Sequence, residues 1–145
     1  MRDEGTPVGR LVTILGKIPL FAGLNRDEYR RLLRVCRVTR HRAGEQIFAE
    51  GDVGTEMFVV LAGTVDVFTE TAGPLATMAS GSVLGEIALV SRVRRTAGAR
   101  ATSDAALLRI ARQDLDLLVG TAPRISYLII RHTAEVLAGR LVDAT

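Results

Sequence analysis

The chain has no tryptophan, one cysteine, two histidines and one lysine, and aromatic residues fill only 4% of its 145 positions. Each shortage excludes something. A single thiol, Cys36, cannot form an internal disulfide and suits a reducing compartment, so a cytoplasmic location is expected. His41 and His132 stand alone, with no second histidine or cysteine at metal-ligand spacing; no metal site is read from them, and both are taken as surface residues. With so few aromatics, the core has to be mostly aliphatic. No apolar run reaches the roughly 18–20 residues that a membrane span needs. Met1-Arg2-Asp3-Glu4 lacks the basic-then-apolar layout of a signal peptide.

What is present is an ordinary globular balance, 48% hydrophobic and 24% charged, in a length that suits one domain with a real core. The formal net charge of +3 is too small to argue for nucleic acid. Apart from Lys17, every basic residue is arginine, the side chain that pairs bidentately with carboxylates and phosphates.

Residues 1–9 read as a loose polar tail, and Arg10 to Lys17 as a short helix. Pro19-Leu20-Phe21 with Gly23 reads as a turn. Asn25 is a good N-cap with Glu28 three residues on, the pattern of a capping box, and Tyr29, Leu32, Leu33 and Cys36 share one helical face. That spacing places Cys36 in the core. Arg30, Arg34 and Arg37 form a stripe read as a solvated face. From Val38 to Ile110 short apolar runs alternate with glycine turns: Gln46–Ala49, Met57–Leu61, Val65–Phe68, Leu75–Met78, Ala97–Ala101 and Ala106–Ile110. Short strands with regular turn signals indicate an antiparallel sandwich or barrel. Helical texture returns with Asp114–Val119 and again after Pro123, where Ile125, Leu128, Ile129, Val136, Leu137 and Leu141 give the last helix a broad apolar side.

One segment interrupts the strand pattern. Gly85-Glu86-Ile87-Ala88-Leu89 looks like a single helical turn, and Arg95 and Thr96 follow the glutamate by nine and ten residues. The first N–H groups of such a turn have no internal partner and favour an anion. Gly85 removes a Cβ that would block close approach, Glu86 can accept hydrogen bonds from a sugar hydroxyl, and Arg95 can pair with a phosphate oxygen. The carboxylate and the arginine are also expected to hold each other in place when no ligand is bound.

Leu84-Gly85-Glu86-Ile87-Ala88-Leu89, five variable positions, then Arg95-Thr96-Ala97 resembles the phosphate-binding cassette of the cyclic-nucleotide-binding domain family. Pro19–Leu24, Gly44–Phe48 with Glu50-Gly51-Asp52, and Phe58–Val65 resemble other segments of that family, so the likeness covers roughly residues 18–142, after a tail and short helix at 1–17. Arg92–Ala97 resembles most the cassettes of cyclic-nucleotide-gated and hyperpolarisation-activated channels. The fold that the resemblance implies is α+β and mainly β: an antiparallel, eight-stranded, jelly-roll-like β-roll with N-terminal helices, a short cassette helix and two C-terminal helices. The implied ligand is cAMP or cGMP. Glu86 would bind the ribose 2′-hydroxyl, and Arg95 the phosphate, helped by the backbone N–H groups of Ile87, Ala88 and Ala97. Thr96 falls where a hydroxyl is associated with better acceptance of cGMP. Val67, Ala76 and Met78 on the roll, with Arg140 and Leu141 on the last helix, are the candidates around the base. Arg94 could compete with Arg95, but the spacing from Glu86 favours Arg95.

The function so implied is a non-enzymatic regulatory module whose last helix closes as a lid, with no cofactor beyond the ligand. A ligand-free structural or dimerisation domain is the alternative, and a homodimer or a fused effector (channel, kinase or transcription regulator) is the expected kind of partner. No helix-turn-helix follows the last helix before Thr145, so no DNA reading is expected of this chain alone. A cupin-type enzyme would need inward histidine and carboxylate ligands, which the isolated histidines do not supply.

Overall fold

Thr6 and Pro7 set where the first helix begins. The Thr6 hydroxyl accepts the Gly9 N–H at 3.0 Å, and Pro7 at the first helical position has no N–H to leave unsatisfied. In a computed structural model that describes residues 5–144, α1 therefore runs Pro7–Leu15 and starts ahead of the expected Arg10. Of the expected tail, residues 1–4 lie outside the described part and 7–9 are helical. Pro19–Phe21 forms a 3-10 turn. The capping box at Asn25 is as expected: Asn25 Oδ1 accepts the Glu28 N–H and Glu28 Oε1 accepts the Asn25 N–H, both at 2.9 Å, which starts α2 (Arg26–Val35). Cys36 follows the last turn of α2 and packs, partly buried, against the core.

Eight strands follow: β1 (Arg37–His41), β2 (Gln46–Phe48), β3 (Glu56–Ala62), β4 (Val65–Thr69), β5 (Gly73–Met78), β6 (Val83–Leu84), β7 (Gly98–Ala101) and β8 (Ala105–Ala111). They form two antiparallel sheets, ordered β1-β8-β3-β6 and β2-β7-β4-β5, the eight-stranded roll that the sequence implied. The six apolar runs became β2, β3, β4, β5, β7 and β8. β1 and β6, the edges of the first sheet, carried no such signal: Arg37 and Arg40 are exposed charges on an edge, and β6 spans two residues.

The first sheet is covered on both faces, which is why β3 reads as a continuous apolar run rather than an alternation. Met57, Val59, Leu108 and Ile110 join Leu15, Phe21, Leu32, Leu115, Ile125 and Ile129 in one buried cluster against the helices. Phe58, Val60 and Leu107 pack with Val65, Ala99 and Ala101 of the second sheet in another, inside the roll.

The Asp114 carboxylate accepts the Ala111 N–H at 2.9 Å and starts α3 (Arg112–Thr121). In α4 (Pro123–Ala144), Ile125, Ile129 and Thr133 are buried and the Ser126 hydroxyl donates to the Leu115 carbonyl at 2.8 Å. The broad apolar side expected for this helix is covered only over its first half. Val136 is 37% and Leu141 70% exposed, because α4 runs beyond the helical core and on towards the roll. The two histidines are not free surface groups. His41 lies within hydrogen-bond distance of Glu45 (2.6 Å) and Thr39 (2.9 Å), and His132 Nδ1 lies 3.0 Å from the Leu20 carbonyl. Among the described residues there is no metal-binding cluster and no helix long and apolar enough to cross a membrane.

Candidate ligand-binding site

Gly85 bends the chain out of β6 in the left-handed region (φ 72°, ψ 31°), a conformation that favours glycine, and caps a 3-10 helix over Glu86–Leu89. This is the expected helical turn. The N–H of Ala88, expected to serve an anion, is donated back to the Gly85 carbonyl at 3.1 Å as the turn closes. The far end of the turn is held by a residue that sequence reasoning passed over. Arg112, at the start of α3, donates from Nε (3.0 Å) and Nη2 (2.7 Å) to the Ala88 carbonyl and from Nη2 to the Ser91 carbonyl (2.6 Å). A guanidinium on the last carbonyls of a helix satisfies orphan acceptors and complements the dipole.

A cleft of about 260 Å³ opens beside this turn. Of the thirteen candidate residues, Val67, Met78, Leu84, Gly85, Glu86, Ile87, Ala88, Arg95, Thr96, Ala97 and Arg140 line it. Ala76 and Leu141 do not. Ala76 stands opposite Val67 across the β4–β5 pair, but its methyl stays exposed and short of the cleft. Leu141, about 100° around the helix from Arg140, is 70% exposed and stays outside the lining.

Glu86 is buried, with 8% of its surface exposed, yet it carries a carboxylate. Its Oε1 accepts from Nη2 of Arg140, which reaches over from the exposed half of α4. Arg95 is held differently. Its backbone is pinned to the 51–52 turn, with the Arg95 N–H donated to the Asp52 carbonyl (2.6 Å) and the Gly51 N–H donated to the Arg95 carbonyl (2.8 Å). Its Nη2 donates to the Glu56 carbonyl at 2.7 Å, and its guanidinium carbon lies 4.2 Å from the ring centroid of Phe48. Nε is buried without a hydrogen-bond partner. Burial pushes the Arg95 guanidinium below its ordinary pKa, with the charges of Glu56 and Asp52 opposing, but an arginine stays protonated throughout the physiological range. The expected ion pair between Glu86 and Arg95 is therefore absent among the described residues. Each group has found another partner, the charge of Arg140 for Glu86 and the Glu56 carbonyl for Arg95.

Phe48, Gly54, Val83, Val93 and Arg94 also line the cleft and were not singled out as site residues. Arg94 donates from Nη1 to the Gly51 carbonyl at 3.0 Å and remains exposed. Gly54 is close because a Cβ there would sit 2.7 Å from Cζ of Arg95. No periodicity signals these contacts, since they join β2 and the 51–55 turn to a segment some forty residues downstream.

The family model of the cyclic nucleotide-binding domain matches residues 38–121, more than half of the chain. The chain belongs to the cyclic nucleotide-binding domain family. As such a domain it is 32% identical over 132 residues to glutaminase 1 of Bradyrhizobium diazoefficiens, covering 91% of this chain and 21% of that protein. It is 32% identical over 130 residues to the cyclic AMP receptor protein of Thermus thermophilus, covering 87% of this chain and 58% of that one. It thus spans only part of the length of these curated relatives. Among solved structures, the N-terminal domain of a transcriptional regulator from Streptomyces coelicolor superposes with a TM-score of 0.82 at 26% identity, covering 91% of this chain and 94% of that one.

Proposed function

We propose that the cleft binds a purine nucleoside 3′,5′-cyclic monophosphate and that the domain serves as a non-catalytic sensor for an effector. The observation that carries this reading is the convergence of Glu86 and Arg95 on one cleft, with a buried, unpartnered donor left on Arg95. Glu86 is suited to the ribose hydroxyl, Arg95 to the cyclic phosphate, and Val67 and Met78 to one face of the purine. Family membership and the similarity to a cyclic AMP receptor protein support the ligand class.

Helix α4 is the proposed lid. Arg140 already bridges it to Glu86, and a ribose hydroxyl at Glu86 would share or displace that contact, so ligand and helix position are coupled through one carboxylate. Thr96 is exposed and lines the cleft; the family resemblance associates a hydroxyl at this position with acceptance of a guanine, so cGMP is proposed to bind alongside cAMP.

Titration calorimetry with cAMP and cGMP tests the proposal. Micromolar binding corresponds to about 8 kcal/mol, and a hydrogen bond to a charged group contributes about 1.5–3 kcal/mol. Arg95→Ala and Glu86→Ala are each expected to weaken binding by roughly tenfold to a hundredfold. Unchanged affinity in both variants, or no binding by the wild type, would remove the reading. The Glu86–Arg140 ion pair favours a second reading, a ligand-free structural domain closed on itself. A thermal-unfolding midpoint indifferent to both nucleotides would support it.

A further inference from the structure

The Arg95 guanidinium is confined on several sides, and each constraint comes from a different part of the chain. The ring of Phe48, at the end of β2, lies under it at 4.2 Å. The Glu56 carbonyl, at the start of β3, accepts from its Nη2. Gly54 and Gly85 leave it room: a Cβ at Gly54 would stand 2.7 Å from its Cζ, and one at Gly85 would stand 2.2 Å from its Nη1. Phe48 is itself backed by the core, since its ring stacks on that of Phe58 with centroids 6.0 Å apart and planes at 24°, and Phe58 is only 4% exposed. A cation over an aromatic face gains most where water is excluded, as it is around Nε of Arg95.

We propose that Phe48 is a positioning residue for the anion-binding arginine: its ring face fixes the guanidinium in the orientation that receives the phosphate, through cation–π contact and not merely by filling space. The inference rests on the cyclic-nucleotide reading of the cleft for its consequence, though not for the contact itself. Arginine is long and rotamer-rich, and a guanidinium already held in place needs less ordering when its ligand arrives. Phe48 acts on the phosphate only through Arg95. A leucine at 48 would keep the position apolar and remove the π face, whereas a tyrosine would keep the face.

The test compares Phe48→Leu, Phe48→Met and Phe48→Tyr by calorimetry with cAMP and cGMP, each variant checked first for a cooperative thermal transition. The leucine and methionine variants are expected to bind about five- to thirtyfold more weakly, and the tyrosine variant to bind within about twofold of wild type. In an Arg95→Ala background, Phe48→Leu should cause no further loss. A role in packing alone would give the same loss in both backgrounds, or a loss shared by the tyrosine variant, and either result overturns the proposal. A second readout needs no ligand: the Arg95 Nε–H resonance in a nitrogen-15 spectrum. It should lie upfield from the ring current in the wild type and in Phe48→Tyr, and return downfield in Phe48→Leu or Phe48→Met. If the wild type binds neither nucleotide, the reading of the cleft fails while this resonance still decides whether Phe48 holds Arg95; an unmoved signal refutes the contact.

Discussion

Two glycines flank the same guanidinium, and a side chain added at each should cost stability for different physical reasons that can be separated by experiment. Gly85 has φ +72°, so an alanine there meets backbone strain of about 1–2 kcal/mol before any contact is considered. Its Cβ would then lie 2.2 Å from Nη1 of Arg95, whose guanidinium cannot easily retreat between the Phe48 ring and the Glu56 carbonyl. Overpacking of this kind costs about 1–3 kcal/mol, so Gly85→Ala should destabilise by roughly 2–5 kcal/mol in all. Gly54 has no positive φ, and its alanine variant meets only the guanidinium, 2.7 Å from Cζ and Nε; about 1–2 kcal/mol is expected. Urea denaturation followed by circular dichroism measures both. The discriminating step is to repeat them in an Arg95→Ala background, where the clash partner is gone. There Gly54→Ala should become nearly neutral, and Gly85→Ala should retain only its backbone part. Either penalty unchanged by removal of the arginine would refute the proposed clash.

Arg112→Ala removes three hydrogen bonds to the carbonyls of Ala88 and Ser91; a loss of about 2–3 kcal/mol and faster amide exchange across residues 86–91 should follow, and exchange unchanged there would mean that the turn is held by other contacts. The hydrogen bond from Arg124, and then that from the Asn25 N–H, hold the Glu28 carboxyl below its ordinary pKa. A depressed folded-state value means that its contribution is present at neutral pH and is lost as pH falls through the folded value, so Glu28→Gln should flatten the acid limb of the stability curve. Burial, with the charge of Asp114 adding to it, pushes the Cys36 thiol up to about 12, and alkylation at neutral pH should therefore require unfolding; rapid labelling of the native protein would contradict this placement.

Local chemistry was legible wherever neighbours in sequence are neighbours in space. The Asn25–Glu28 box, the helical turn after Gly85, and β3 with its unbroken apolar run could each be read from a short window, because caps, turns and two-faced burial are properties of a few consecutive residues. The start of α1 lies ahead of its apolar residues because the Thr6 cap and Pro7, not hydrophobic spacing, set it. β1 was missed because an arginine-rich edge strand buries little, and pairing with β8 decides its existence.

Sequence by itself thus determined the family, the roll and the segment that carries the glutamate and the arginine, since those depend on residue type and spacing along the chain. Tertiary structure alone decided the partners. Glu86 faces Arg140 from a helix more than fifty residues away, and Arg95 lies on Phe48, beneath two glycines and beside the Glu56 carbonyl. Charges and ring faces attract whatever the fold brings within a few ångströms, and no local pattern encodes which distant group that will be.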